Sequence, residues 1–581
     1  MIRILSCQNA LGQNGIRKFF AMSAIVLGYW VPALSRAQAV PQAPDYGAGS
    51  AVQQTAPPAA TGTAPGAKEV QAQPTVVTAE PEKPLGLASK EKLYVREILV
   101  PDDDAETHAA LLRVVAPYLN QELTMAEINA VAGKVTRYFR NHGYLVAKAY
   151  LPVQDASDGV LEIRVSLGSY GSATVKNNSR LRDGVAEGIF RHMERNSPTV
   201  TAHSLERTML LTREMPGSAM PNVALEPGKA PGTTDLKVEL GREGQRYQGY
   251  LLGDNQGSRF TGQNRLFGGL DVIAPLGIAD KLSISGMVSD GEKLHNVRVS
   301  YGLPLSYSGL RLTVAASRTR YALGGSYSAL DATGSVNAVE GTVAYPLLRR
   351  HDSNIDLSLN IAHRALHDDL SAVSVYNPRT AVVGAATLQR TKFSTVFGYR
   401  FYTSTSASVT VGEMNLEDAA EIQSTGTNGD YGKLVMNLSA ETPLYRALSA
   451  RISTVGQKDL RAKVLDSSEQ LFISGSGGVR GFVEGLSGDN GYIVNMELPY
   501  ALPKIPHTGL QQTLSTFADS GGAQAEKNGT SLTDYVLNDV GAGYAVTRSP
   551  FYLKVQGVRI LGNVHSETAK TRAWLQLGFV F

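Results

Sequence analysis

One cysteine occurs in the whole sequence, Cys7, and it lies in a stretch that reads as a secretory signal. Arg17-Lys18 is a basic pair, Phe19 to Leu34 an apolar core, and Ala37-Gln38-Ala39 fits the A-x-A cleavage rule, although the segment ahead of the basic pair is long. Cleavage after Ala39 would discard Cys7 with residues 1–39. The exported chain would then have no disulfide, no cysteine-ligated metal and no cysteine nucleophile. A charge excess is missing as well: 55 basic residues face 52 acidic ones, which argues against a nucleic-acid partner. After Ala39 there is no run of roughly twenty apolar residues, so no transmembrane helix is expected. Such a chain is periplasmic, extracellular or an outer-membrane barrel.

Catalytic motifs are missing too. Gly228-Lys229 and Gly432-Lys433 lack both the upstream glycine and the following Ser/Thr of a P-loop, and there is no G-x-S-x-G elbow. His363, His367, Asp368 and Asp369 sit where a strand reads as running into a loop, and there a four-residue spacing separates the imidazoles by roughly 13 Å. No metal, no cofactor and no enzymatic activity are expected.

Three textures are present instead. Residues 40–90 are rich in Pro, Ala, Gln, Thr and Gly without periodicity, and read as a disordered linker. Residues 91–168 read as a small β-α-α-β-β domain. Its first helix, Glu106 to Leu119, would turn Leu111, Leu112, Val115 and Leu119 inward. Thr124 and Glu127 form a capping box, Ile128, Val131, Val135, Tyr138 and Phe139 follow at helical spacing, and Gly143 suits a helix C-terminus. A strand from Tyr144 to Leu151 and another through Leu161, Ile163, Val165 and Leu167 complete it. Residues 169–240 repeat that order more loosely.

From 241 to 581 helical periodicity gives way to segments of about ten alternating residues between Gly, Asn, Asp and Ser turns. Val297 to Leu305, Ile355 to Ile361 and Tyr552 to Val558 are examples. Behind an export signal this pattern fits a transmembrane β-barrel, whose closure leaves no unpaired edge in hydrocarbon. A large soluble β-sandwich or propeller is the alternative on pattern alone. The chain ends Leu575, Leu577, Phe579, Phe581 on one face, and a terminal aromatic resembles the signal read when barrels are assembled.

Within this region Gly475-Ser476-Gly477-Gly478-Val479-Arg480-Gly481-Phe482 stands out. Glycines this dense allow positive φ and close backbone approach, and the one long side chain, Arg480, needs an anion if it is buried. Asp519, in Phe517-Ala518-Asp519-Ser520-Gly521, is the candidate partner inside a hollow structure. A flexible surface loop with a solvated arginine is the other reading of the same glycines.

Taken in order, four stretches resemble the transporter (TpsB) family of two-partner secretion, within the superfamily of POTRA-bearing outer-membrane barrels. They are Tyr138-Phe139-Arg140 with Gly143-Tyr144 and Ala149-Tyr150-Leu151-Pro152; Asp254-Asn255-Gln256-Gly257 with Thr261-Gly262 and Arg265; Val479-Arg480-Gly481-Phe482 with Ser487-Gly488-Asp489; and Phe517-Ala518-Asp519-Ser520-Gly521. The resemblance implies two periplasmic POTRA domains and a sixteen-stranded barrel in the bacterial outer membrane. It also implies a loop near 475–490 folded into the pore, holding Arg480 against Asp519. The implied partners are a large secreted β-helical exoprotein, taken up unfolded and exported without ATP, the membrane lipid, and the barrel-assembly machinery. An outer-membrane assembly factor of the same superfamily or a passive porin are the alternatives. Several relatives thread an N-terminal helix through the barrel, and residues 40–90 show no amphipathic helix to serve as one.

Overall fold

A computed structural model describes residues 48–57, 76–78, 92–101, 104–483, 485–527, 530–562 and 569–581. The signal-peptide reading of 1–39, Cys7 included, lies outside these residues.

The first small domain begins with strands Lys92–Val95 and Glu97–Leu99, followed by helix Ala105–Val115. Asp104 caps that helix, accepting from the Thr107 N–H at 2.9 Å. The helix stops four residues short of Leu119 because Pro117 tightens the chain into a single 3-10 turn. Leu111 and Val115 are buried, but Leu112 is 47% exposed. One residue further along a helix turns the side chain about 100° away from the buried face, so Leu112 does not belong to the core as its composition suggested. Helix Met125–Asn141 starts on the Thr124/Glu127 capping box and ends where Gly143 takes φ +93°. The expected strand from Tyr144 shortens to Lys148–Tyr150, and the last strand divides into Val160–Glu162 and Arg164–Ser166.

The second domain has strand Ser169–Asn177, helices Asp183–Asn196 and Ala202–Arg213, and strands Asn222–Pro227 and Thr233–Leu240. Its open edge, Asn222–Pro227, carries an extra parallel strand from far upstream, with Val76, Val77 and Thr78 opposite Val223, Ala224 and Leu225. The linker reading of 40–90 therefore needs correcting in two places: at this strand and at a short helix, Ala48–Gln53. Backbone pairing and enclosure order both, and neither requires periodicity in the sequence.

Sixteen antiparallel strands, from Tyr247–Asp254 to Thr571–Val580, close into a barrel, the last pairing with the first. Alternation divides each strand between two environments. Leu251, Val314, Val339, Ile361, Met436 and Leu577 face outward and are exposed, while Phe267, Leu366, Phe517 and Leu537 face inward and are buried. Phe397, Tyr399, Tyr445 and Phe551 form an exposed aromatic girdle at the end nearest the two small domains. No described helix is long and apolar enough to cross a membrane; the closed barrel with its exposed apolar outer face has the form expected of a transmembrane wall. Strand Ser353–Leu370 runs on through His363, His367 and Asp369 rather than breaking into a loop. Its alternation sends the histidines outward and Asp368 inward, and among the described residues no metal-ligating cluster forms.

Polar contacts join the second domain to the barrel turns on the same side. Arg349 reaches Glu214 at 2.8 Å, Arg207 donates to the Pro346 carbonyl at 2.8 Å, and Glu206 meets His351 at 2.6 Å.

Candidate functional site

Between the eleventh strand, Leu448–Asp459, and the twelfth, Asn490–Leu502, the chain does not turn tightly. It folds into the lumen, tied at its base by the pair Leu471–Phe472 and Ser487–Gly488. The glycine-rich tip is a compact turn. The Gly475 N–H donates to the Phe482 carbonyl at 2.6 Å, and the Val479 N–H to the Ile473 carbonyl at 2.8 Å. Gly475 takes φ +90°, and a Cβ on Gly478 would stand 2.3 Å from the Ile473 oxygen, so both positions require glycine.

Ile473, Val479 and Phe482 are fully buried against Leu537 and Ile560 of the wall. That apolar anchoring fixes the turn and leaves Arg480 one direction to point. Its Nε meets Asp519 Oδ2 at 2.6 Å and its Nη2 meets Oδ1 at 2.8 Å, a bidentate pair with the carboxylate side chain wholly shielded from solvent. The guanidinium lies 3.5 Å from the centre of the Phe517 ring. A Cβ on Gly521 would come within 2.9 Å of Val479, so the small residue there seats the loop. The three marked residues of Phe517-x-Asp519-x-Gly521 thus share the inward face of one strand, and each touches the loop.

Four contributors had no signal of their own. Asp539, on the next strand, accepts from the Gly481 N–H, and a Cβ on Gly481 would crowd both Ile560 at 2.8 Å and Asp539 at 3.1 Å. Trp574 Nε1 donates to the Arg480 carbonyl at 3.1 Å. Asn495 Nδ2 bridges the Gly478 carbonyl and Asp519, each at 2.9 Å. Glu497 flanks the guanidinium at 3.9 Å. An i,i+2 spacing from a recognised motif could have suggested an inward face for Asn495 and Glu497; Asp539 and Trp574 lie too far along the chain for any such clue.

Farther out the loop has a second hold on the wall. Asp466 meets Arg379 at 2.9 Å, and Glu469 meets Lys433 at 3.0 Å and also Arg364. Arg379 pairs in addition with Asp368, which accepts the Ala48 N–H at 3.0 Å. The helix Ala48–Gln53 is therefore inside the barrel, with Ala48 and Ala51 fully enclosed. Its far end is held by Arg265, which donates to the Gln54 carbonyl at 3.1 Å while bound to Asp254 at 2.9 and 3.0 Å. A plug helix is present after all, with Ala48 and Ala51 packed against the wall residues Phe267, Leu294, Tyr321 and Leu366. Phe581, at the other end of the chain, sits on the barrel seam, exchanging two backbone hydrogen bonds of 2.9 Å with Gly249 and keeping its ring half exposed.

The sequence profile of the haemolysin secretion/activation proteins ShlB/FhaC/HecB matches residues 232–546, over half of the chain. This chain belongs to that family. A ShlB-type POTRA profile matches residues 93–168. The heme/hemopexin transporter protein HuxB of Haemophilus influenzae is 26% identical over 485 residues, covering 80% of this chain and 83% of HuxB. The outer membrane transporter CdiB of Escherichia coli is 24% identical over 476 residues, covering 78% and 76%. In fold the chain is similar to the solved structure of CdiB from Escherichia coli, at a TM-score of 0.70 and 20% identity over 99% of this chain and 100% of that one. CdiB from Acinetobacter baumannii gives 0.63 at 14% identity, covering 98% of each. As a ShlB/FhaC/HecB-family protein, the chain is an outer-membrane transporter for secreted exoproteins, with its POTRA domains in the periplasm. The family is a secretion pore rather than an enzyme.

Proposed function

We propose that this transporter captures its exoprotein unfolded at a POTRA sheet edge and passes it through the barrel without a nucleotide. Capture by strand addition needs an edge whose backbone groups can pair with an incoming segment. The observation that carries this reading is the edge strand Asn222–Pro227, which already takes up a three-residue strand, Val76–Thr78, in parallel backbone register. An extended cargo segment satisfies the same groups, displacing the chain's own strand. The cargo is a large β-helical protein whose folding outside prevents return, so the free energy of that folding replaces hydrolysis.

Passage requires the lumen to be vacated. The inward loop and the helix Ala48–Gln53 both occupy it, and the recess left around Arg480, Glu497, Lys554 and Gln576 has a volume of only about 230 Å³. Arg480 with Asp519 is the clamp that seats the loop, Val479, Gly481 and Phe482 shape its tip, and Phe517 and Gly521 form its bed. Phe581 is read by the assembly machinery that inserts the barrel.

A photo-crosslinking residue at Ala224 in the full transporter tests capture. The secreted cargo is expected to crosslink there during export, and proteoliposomes lacking nucleotide are expected to translocate it. Export that continues with no adduct at Ala224, or that starts only when nucleotide is added, would refute the proposal. Accumulation of new membrane barrels in place of medium-borne cargo would point to an assembly factor.

A further inference from the structure

Cross-strand register lines up the outward-facing side chains of strands four to eight in rows, and their character changes with height. Leu303, Leu312, Val343, Leu359 and Ala386 form one row. Tyr301, Val314, Gly341, Ile361 and Gly384 form the next, and Val299, Ala316, Val339, His363 and Val382 the one above it. Val299, Val314, Val339, Ile361 and Val382 are between 43% and 63% exposed, so this face is the membrane-contacting wall.

The next row toward the outer rim is mixed, with Val297, Arg318, Asn337 and Ala365, and the one beyond it holds His295, Arg320, Ser335 and His367 on four successive strands. Rows lie about 7 Å apart and neighbouring strands about 4.8 Å apart. The two guanidinium groups therefore stand together at the outer margin of the apolar wall. Both arginines are exposed, and among the described residues neither side chain forms an ion pair or hydrogen bond. Arg461, another outer-rim cation, differs in meeting Asp430 at 3.4 Å. Asp369, in the row above, and Glu292, in a neighbouring hairpin, border the recess on its outer side, away from the apolar wall. The recess has a volume of about 570 Å³, and Tyr376 closes its flank with its ring centre 5.9 Å from that of His367.

We propose that this recess binds a phosphate group of the acylated, phosphorylated glycolipid of the outer leaflet, held by Arg318 and Arg320 with its acyl chains along Val299, Val314, Val339 and Ile361. Three features select this occupant together. Unpaired guanidinium groups recognise phosphate bidentately; their height matches a headgroup that begins where hydrocarbon ends; and the wall directly beneath takes acyl chains. A free phosphate would use only the first feature, and a neutral lipid only the last. The site is on the barrel's outside, so it is independent of cargo passage.

Native mass spectrometry of the full, delipidated transporter in mild detergent tests the proposal, with diphosphoryl lipid A, phosphatidylethanolamine and inorganic phosphate as probes. One tightly bound diphosphoryl lipid A is expected, with at least a tenfold loss of affinity in the Arg318→Ala/Arg320→Ala double variant. Arg559→Ala, an outward cation on a distant strand, is expected to bind as the unaltered protein does. Heat-modifiable migration checks that the barrel is folded, and Arg318→Gln/Arg320→Gln replaces the alanine pair if it is not. Undiminished affinity in the double variant overturns the proposal, as does equal binding of phosphatidylethanolamine. Displacement of the lipid by millimolar inorganic phosphate would also overturn it, by showing that the site recognises the free anion.

Discussion

Removing one side chain, in Arg480→Ala, isolates the clamp between loop and wall. The substitution deletes a bidentate bond to a carboxylate with no solvent exposure and the contact with the Phe517 ring. It leaves Asp519 with Asn495 as its main side-chain donor, directly across the strand pair from Asp539. Breaking a buried pair by removing one member typically costs about 3–5 kcal/mol, chiefly because the remaining charge is stranded. At about 1.4 kcal/mol per tenfold change, the docked loop loses roughly two to three and a half powers of ten in population.

Little of this loss falls on the barrel wall, because its strands pair through their backbones independently of Arg480. Loss of secretion is expected, with the heat-modifiable barrel still abundant in the outer membrane and the 460–489 loop newly cut by protease added outside the cell. Asp519→Asn in the same background removes the stranded charge and is expected to restore much of the loop's protection. Arg480→Lys is expected to be intermediate, since an ammonium cannot form the two-pronged bond. Normal secretion with a protected loop in Arg480→Ala would refute the clamp. Disappearance of the barrel would show instead that Arg480 serves folding.

Arg379→Ala cuts the link between the plug helix and the loop, because this arginine holds both Asp368 and Asp466. Larger and longer channel openings in planar bilayers are expected, and unchanged conductance would contradict the link. Thr124→Ala removes a helix N-cap from the first POTRA domain, at about 1 kcal/mol, and should speed hydrogen exchange along Met125–Asn141. The Thr124 N–H and hydroxyl hold the Glu127 carboxyl below the usual glutamate range. Its stabilising effect is therefore present above the unfolded-state value and lost as pH falls through the lower folded one. Protection of this helix should decline on acidification below roughly pH 4, and less so in Thr124→Ala.

Local chemistry was readable from the sequence wherever it needed only neighbours. The capping box at Thr124, the turn at Gly143 and the period-two alternation of the barrel strands each depend on residues within one turn or one strand. For Arg480 and Asp519 the glycines left a solvated surface loop open as the other reading, and it was the resemblance of both stretches to family motifs that singled out the pair. What the tertiary structure decided is which distant groups converge on them. Asp539 and Trp574 lie 58 and 94 residues beyond their loop partners, and only strand register and barrel closure turn them to the same point in the lumen. The plug helix Ala48–Gln53 is ordered by the cavity that surrounds it, and a six-residue stretch without periodicity has no means of announcing that from the sequence alone.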